Sequence, residues 1–135
     1  MRLWHVDLIP YLPKSQLLAQ WRELNSIYVK EDKHILINYI YEYPKEDLYC
    51  YTQLVLEEMI HRQINIRTKD KMANYFKDIK CTEIYIPYEN HHNQQYLTIC
   101  YYNLLEKFIR GQKDFPAELF ERLTNFYQSK KEQPK

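Results

Sequence analysis

Residues 14–24 read KSQLLAQWREL, and their periodicity sets the class of the whole chain. Leu17, Leu18, Trp21 and Leu24 recur at helical spacing, Pro13 precedes them and Ser15 can cap the first turn. The spacing predicts a helix from Lys14 to about Leu24. Its other side carries Gln16, Ala19, Gln20, Arg22 and Glu23. Gln16 and Glu23, seven apart, lie on nearly one line, with small Ala19 between them. One reading is a solvated helix face. The other is a carboxylate and a guanidinium beside a small residue that leaves room for a ligand.

Upstream, residues 1–13 are short and apolar-rich, and Pro10 and Pro13 bar a helix from starting before Pro13. Downstream, Ile35–Tyr43 suits a helix by spacing and a strand by its β-branched and aromatic content. Pro44 ends it. A stronger helix covers Glu46–His61 through Leu48, Tyr51, Thr52, Val55 and Met59. Ile64–Lys80 reads as loop with a helical turn around Met72–Phe76, and Glu83–Pro87 as a short extended piece. A helix over Asn93–Arg110 ends at Gly111 as its C-cap. A last helix runs from Pro116 to Phe126. Residues 129–135 form a polar, disordered tail. The expected fold is mainly α: one helical domain over residues 1–128, three to four main helices in a layer pair, little or no sheet.

A chain of 135 residues is one domain long, and 45% hydrophobic content makes it globular. The single glycine, Gly111, excludes a Gly-rich phosphate loop, a dinucleotide fingerprint and a nucleophile elbow. A net charge of +1 is low for a dedicated nucleic-acid binder, although charge can be sorted onto one face. Cys50, Cys81 and Cys100 are odd in number and far apart, which reads as reduced thiols in a cytoplasmic protein. No window is long and apolar enough to span a membrane.

Glu89, His91 and His92 are close in sequence, but adjacent histidines point apart and no third ligand has metal spacing. No metal site and no cofactor are expected. Cysteine–histidine catalysis has no local mark. The 14 tyrosines could stack bases, but such residues more often fill a core and its rim. Lys130 and Lys131 are too few for a targeting patch.

Gln16-Leu17, Ala19 and Arg22-Glu23-Leu24, followed by Lys33-His34, resemble the N-terminal third of the pyrimidine-dimer DNA glycosylase/AP lyase family, the phage endonuclease V type. Arg62, Asn65 and Ile66 resemble the end of that family's central helix, and Tyr85-Ile86-Pro87 its next landmark. Met1 to His5, Leu8 to Pro10 and Leu12-Pro13 are similar to an uncharacterised branch that opens Met-Arg-Leu-Trp-His. The likeness is good over residues 1–66, fair over 82–110 and weak beyond.

The resemblance implies a helical monomer with its N-terminus in the active site, acting on DNA that carries a lesion or an abasic site. In the family an α-amine attacks the deoxyribose C1′, displaces the damaged base and forms an imine. A glutamate then assists β-elimination. The family binds bent duplex DNA and extrudes a nucleotide. Carried over, the catalytic residues are Met1 and Glu23. Arg2, Arg22, Gln16, Lys33 and His34 face the substrate. The sequence departs from the pattern at Arg2, where the family has a processed threonine terminus, and at Gln16 and Ser26, where it has an imidazole and a basic residue.

Elementary chemistry supports amine catalysis. An α-amine in general titrates at roughly 7.7–8.0, so about a tenth is unprotonated at neutral pH without burial, whereas a lysine needs desolvation. The macrodipole at a helix end raises a carboxylate's pKa and an adjacent arginine lowers it, which leaves the role of Glu23 open between base and electrostatic stabiliser. Two alternatives stand beside the repair enzyme. One is a non-catalytic module binding nucleic acid or protein. The other is an amine-dependent enzyme for a small nucleotide or sugar aldehyde.

Overall fold

A computed structural model describes residues 1–80 and 83–131. The helices are α1 (Lys14–Lys30), α2 (Lys45–His61), α3 (Asp70–Tyr75), α4 (Gln94–Ile109) and α5 (Ala117–Lys131), with 3-10 helices at Val6–Tyr11 and Asn38–Glu42. Among the described residues there is no strand. The fold is mainly α, as the periodicity predicts.

Several boundaries differ from expectation for identifiable reasons. Helix α1 does not stop at Leu24, because Ile27 and Tyr28 continue the buried stripe. Packing there overrides the weak helix preference of Asn25 and Ser26. The helix ends at Glu31, whose left-handed backbone (φ 51°) lets its N–H bond the Ile27 carbonyl. Ser15 is not the N-cap. Pro13 holds that position, and the Ser15 amide and hydroxyl bond Asp114 at 2.7 and 3.1 Å. A carboxylate 99 residues away therefore caps α1. Burial works against this carboxylate's charge, but the Ser15 amide and the Gln112 side chain outweigh it and hold the Asp114 pKa below its usual value.

The prolines do not exclude helix before Pro13. A 3-10 turn spans Val6–Tyr11 with Pro10 inside it, capped by the His5 imidazole, which accepts from the Asp7 N–H at 3.1 Å. Ile35–Tyr43 is neither strand nor α-helix. It forms a turn followed by the second 3-10 helix. The helical turn expected near Met72 is α3, two residues earlier than predicted. Glu83–Pro87 pairs with no strand. Gly111 lies one residue past the C-cap Arg110, with φ 83°. The tail is shorter than expected, because Ser129–Lys131 belong to α5, whose Tyr127 is buried against Tyr101. Residues 132–135 of the expected tail, and Cys81, lie outside the described residues.

Helix α1 packs on α2 and α3, α4 packs on α5, and the first 3-10 helix touches both α2 and α5. Arg62, just past α2, bonds the carbonyls of Leu12 and Pro10 at 2.7 and 3.0 Å and pairs with Glu58 at 2.7 Å. Seven of the fourteen tyrosines are buried, which bears out their reading as core residues.

Residues 2–5 form an extended, non-helical stretch that leads into the first 3-10 helix at Val6. Leu3, Trp4 and His5 are buried. An extended segment without a sheet must bond its backbone elsewhere, and here side chains supply the partners. Gln20 from α1 accepts from the Trp4 N–H at 2.9 Å. Tyr51 from α2 donates to the Trp4 carbonyl at 2.6 Å, and Tyr96 from α4 donates to that of Leu3. His92, just before α4, accepts the Val6 N–H at 3.0 Å through Nδ1. That fixes its proton on Nε2, which faces the Tyr39 hydroxyl at 2.6 Å.

Burial, reinforced by His5 and His91, pushes the His92 pKa down to about 2. Burial lowers those of His5 and His91 as well. A depressed native pKa means that the unfolded chain binds the proton more readily. The stability His92 contributes is complete above the unfolded value of 6.5 and falls with pH below it, by about 1.4 kcal/mol per unit for one group. Urea unfolding at pH 7.5, 6.0 and 5.0 should show this decline. His92→Gln should remove about one proton from the slope, and an unchanged slope would refute the assignment.

Candidate active site at the chain start

The face of α1 that carries Gln16, Ala19, Gln20 and Glu23 looks onto the start of the extended segment. Between them lies a cavity of about 300 Å³ lined by Met1, Arg2, Gln16, Ala19, Glu23 and Lys107, among others. Ala19 has no side chain beyond Cβ, so the space over this turn of the helix stays open. Leu36 and Asn103 complete the far rim.

Gln20 builds the site. The wheel drawn to Leu24 places it on the solvated side, yet it is only 1% exposed. Its amide is fully used. Oε1 accepts from Trp4, while Nε2 donates to the Arg2 carbonyl at 3.1 Å and to Glu23 Oε2 at 3.3 Å. The Tyr51 hydroxyl lies 3.0 Å from Oε1. One side chain thus holds both the chain start and the carboxylate. The available signal was Ile27, seven residues on and on the same helical line. Once α1 runs past Leu24, the apolar arc extends over Gln20.

Glu23 sits mid-helix, so the helix-end argument does not apply to it. Its pKa is raised, and the cause is burial. The strongest opposing influence is the positive charge of the chain's amino terminus, followed by the Arg2 backbone N–H, Arg22 and His34. Burial thus favours the protonated form of this carboxyl, and the positive amino terminus favours the ionised one.

Of the other expected substrate residues, Arg2 and Gln16 line this cavity, whereas Arg22, Lys33 and His34 do not. Arg2 is half-buried, with its guanidinium 5.8 Å from the Tyr96 ring centre. Gln16 accepts from the Gln112 amide at 2.6 Å. Arg22 is exposed and faces a second, larger groove of about 800 Å³ on the adjoining side of α1. That groove has an apolar floor including Trp21 and Met59 and a rim with Arg22, Lys30, Arg67 and Lys71. No carboxylate lines it among the described residues. Lys33 lies 3.6 Å above the Tyr41 ring, and His34 opens the turn that leads to Leu36. Lys107 and Asn103, on α4, are the cavity residues that sequence reasoning missed. Nothing local marks them, because they reach the site only through helix packing.

The family model for pyrimidine dimer DNA glycosylase matches residues 1–72, more than half of the chain. The chain belongs to the pyrimidine dimer DNA glycosylase family. No curated protein and no solved structure is significantly similar to it. The part matching the glycosylase model carries the chain start, α1, α2 and the first residues of α3. It therefore includes Met1, Gln20 and Glu23. Helix α4, which contributes Asn103 and Lys107 to this cavity, lies beyond the match.

Gln20→Ala should leave the Trp4 N–H and the Arg2 carbonyl without partners. The expected cost is about 3 kcal/mol, the scale of a lost buried network, measurable by urea unfolding. Glu23→Gln should act oppositely. A raised carboxyl pKa makes the native state hold protons the unfolded chain releases, so stability drops as pH rises through it. The variant should match or exceed the wild type in melting temperature at pH 7.5 and lose that advantage near pH 4. A less stable variant at pH 7.5 would contradict the burial argument.

Proposed function

We propose that the protein is a DNA repair N-glycosylase with AP-lyase activity, with the α-amine of Met1 as nucleophile and Glu23 as the proton-transfer group. The observation that carries this reading is the shared cavity of Met1 and Glu23, in which the terminal amine is the strongest charge acting on the carboxyl. The substrate is duplex DNA containing a pyrimidine dimer or a related lesion, or an abasic site.

The amine nitrogen attacks C1′ of the extruded nucleotide. The bond from C1′ to the base breaks, the base leaves with the bonding electrons, and loss of the amine proton with ring opening gives an imine. Glu23 takes a proton from C2′. The electrons released form a C2′–C3′ double bond and expel the 3′ phosphate, which cuts the strand. Water then hydrolyses the imine and frees the amine. Holding amine and carboxyl in one cavity supplies the proximity this sequence needs. Arg2 and Lys107 place positive charge beside the sugar phosphates. Arg22, Lys30, Arg67 and Lys71 give the adjoining groove the sign that a second stretch of phosphate backbone requires. This sorting of cations around α1 supports DNA binding in a chain of net charge +1. Gln16 and Ser26, where the family has basic groups, bond Gln112 and Asp32 instead.

Borohydride reduction with an abasic-site duplex should trap a covalent adduct, and peptide mapping should place it on Met1. Lys107 is the other amine in the cavity, so the Lys107→Ala variant should still trap. A blocked N-terminus should abolish trapping. Glu23→Gln should bind the duplex and slow strand cleavage by about 10²-fold or more. An adduct on a lysine would overturn the assignment of Met1. Salt-dependent binding with no adduct would leave a non-catalytic DNA-binding module.

A further inference from the structure

Ile35 and Leu36 are consecutive aliphatic side chains on the turn between α1 and the second 3-10 helix, and they are 86% and 39% exposed. Ile60 and Ile109 are single exposed residues on helix surfaces, which is ordinary, and the exposed run Ile84-Tyr85-Ile86 lines a different groove from the one that holds Met1 and Glu23. This pair differs in three ways. Its turn is tightly bonded. Asn38 accepts from the His34 N–H at 2.7 Å, the His34 imidazole accepts from the Leu36 N–H at 3.1 Å, and the Ile37 and Asn38 amides bond the His34 carbonyl. Ile37 is fully buried and anchors the turn from below. Leu36 also lines the cavity that holds Met1 and Glu23. A bonded turn therefore presents Ile35 to solvent one residue before Leu36, which lines the site, and two residues after Lys33, whose ammonium lies over the Tyr41 ring.

A sugar within a duplex can enter that cavity only where the stack beside it is kinked or opened, and the opened step must be held apart. Aliphatic side chains inserted at a base step do this elsewhere, because they replace stacking contacts with apolar ones while flanking cations hold the phosphates. We propose that Ile35, backed by Leu36, is a wedge that enters the base stack beside the nucleotide whose sugar occupies the Met1–Glu23 cavity. The occupant is a base step of duplex DNA. The inference rests on the DNA-repair reading above and adds a part to it. The fixed turn makes insertion inexpensive in conformational entropy, since the side chain is already displayed in place.

The test uses Ile35→Ser, with Ile35→Leu as the conservative control, in the full chain. Adduct trapping is measured on an abasic duplex and on the same abasic strand alone, which needs no unstacking. Fluorescence of 2-aminopurine placed next to the abasic site reports unstacking without chemistry. Ile35→Ser should trap the duplex at least tenfold more slowly, trap the single strand within twofold of the wild type, and lose the fluorescence rise. Ile35→Leu should retain all three. Unchanged duplex trapping and fluorescence in Ile35→Ser would overturn the wedge and leave the lyase standing. Equal losses on duplex and single strand would overturn it too. A wild type that traps nothing but brightens the probe through Ile35 would keep the wedge and reject the lyase. A wild type that does neither rejects both.

Discussion

A buried, extended backbone has no lattice of its own, and the whole site depends on how residues 2–5 escape that problem. The His5 carbonyl accepts from the Leu8 N–H, and the Arg2, Leu3 and Trp4 carbonyls and the Trp4 and Val6 N–H groups are bonded by side chains of Gln20, Tyr51, Tyr96 and His92. These partners come from α1, α2, α4 and the residue pair just before α4. Each helix pair therefore grips the same thread, and the thread joins the pairs. An orphaned buried backbone group is costly, so the positions of the helices and the position of the chain start are mutually fixed. The cavity beside Glu23 inherits its shape from that agreement.

The same burial that builds the site sets its electrostatics. Desolvation raises the Glu23 pKa and lowers those of His5, His91 and His92. The lowered values favour neutral imidazoles, and His91 and His92 are engaged with neighbouring groups of the fold. His92 accepts from a backbone amide, and His91 stacks on Tyr39 at 3.5 Å. Glu23 differs because its neighbours include the chain's positive terminus and the Arg22 guanidinium. It keeps a charge partner in a place where burial alone would neutralise it. That is a destabilised arrangement, typical of sites selected for reactivity.

Helix α1 divides two environments. One side meets the chain start in a small cavity with a carboxyl, and the adjoining side forms a larger groove with an apolar floor and cations around it. Arg22 and Glu23, adjacent in sequence, consequently serve different surfaces while remaining close enough for their charges to interact. Helix α4 contributes Asn103 and Lys107 to the cavity from outside the region that matches the family.

The local periodicity of residues 14–24, 46–61, 93–110 and 116–126 was enough to specify the long helices, because amphipathic spacing and proline punctuation act over a few residues. The line of Gln16, Ala19 and Glu23 was legible for the same reason, as was the resemblance carried by Arg22-Glu23-Leu24 and Lys33-His34. What sequence alone could not supply was the burial of Gln20, the capping of α1 by Asp114, the neutral state of His92 and the arrival of Lys107 at the cavity. Each depends on groups between 16 and 99 residues apart, or on helices that meet only when packed. Pattern within a segment is a local property. The partner of a buried polar group is chosen by the whole fold, since only the closed core removes water and forces that choice.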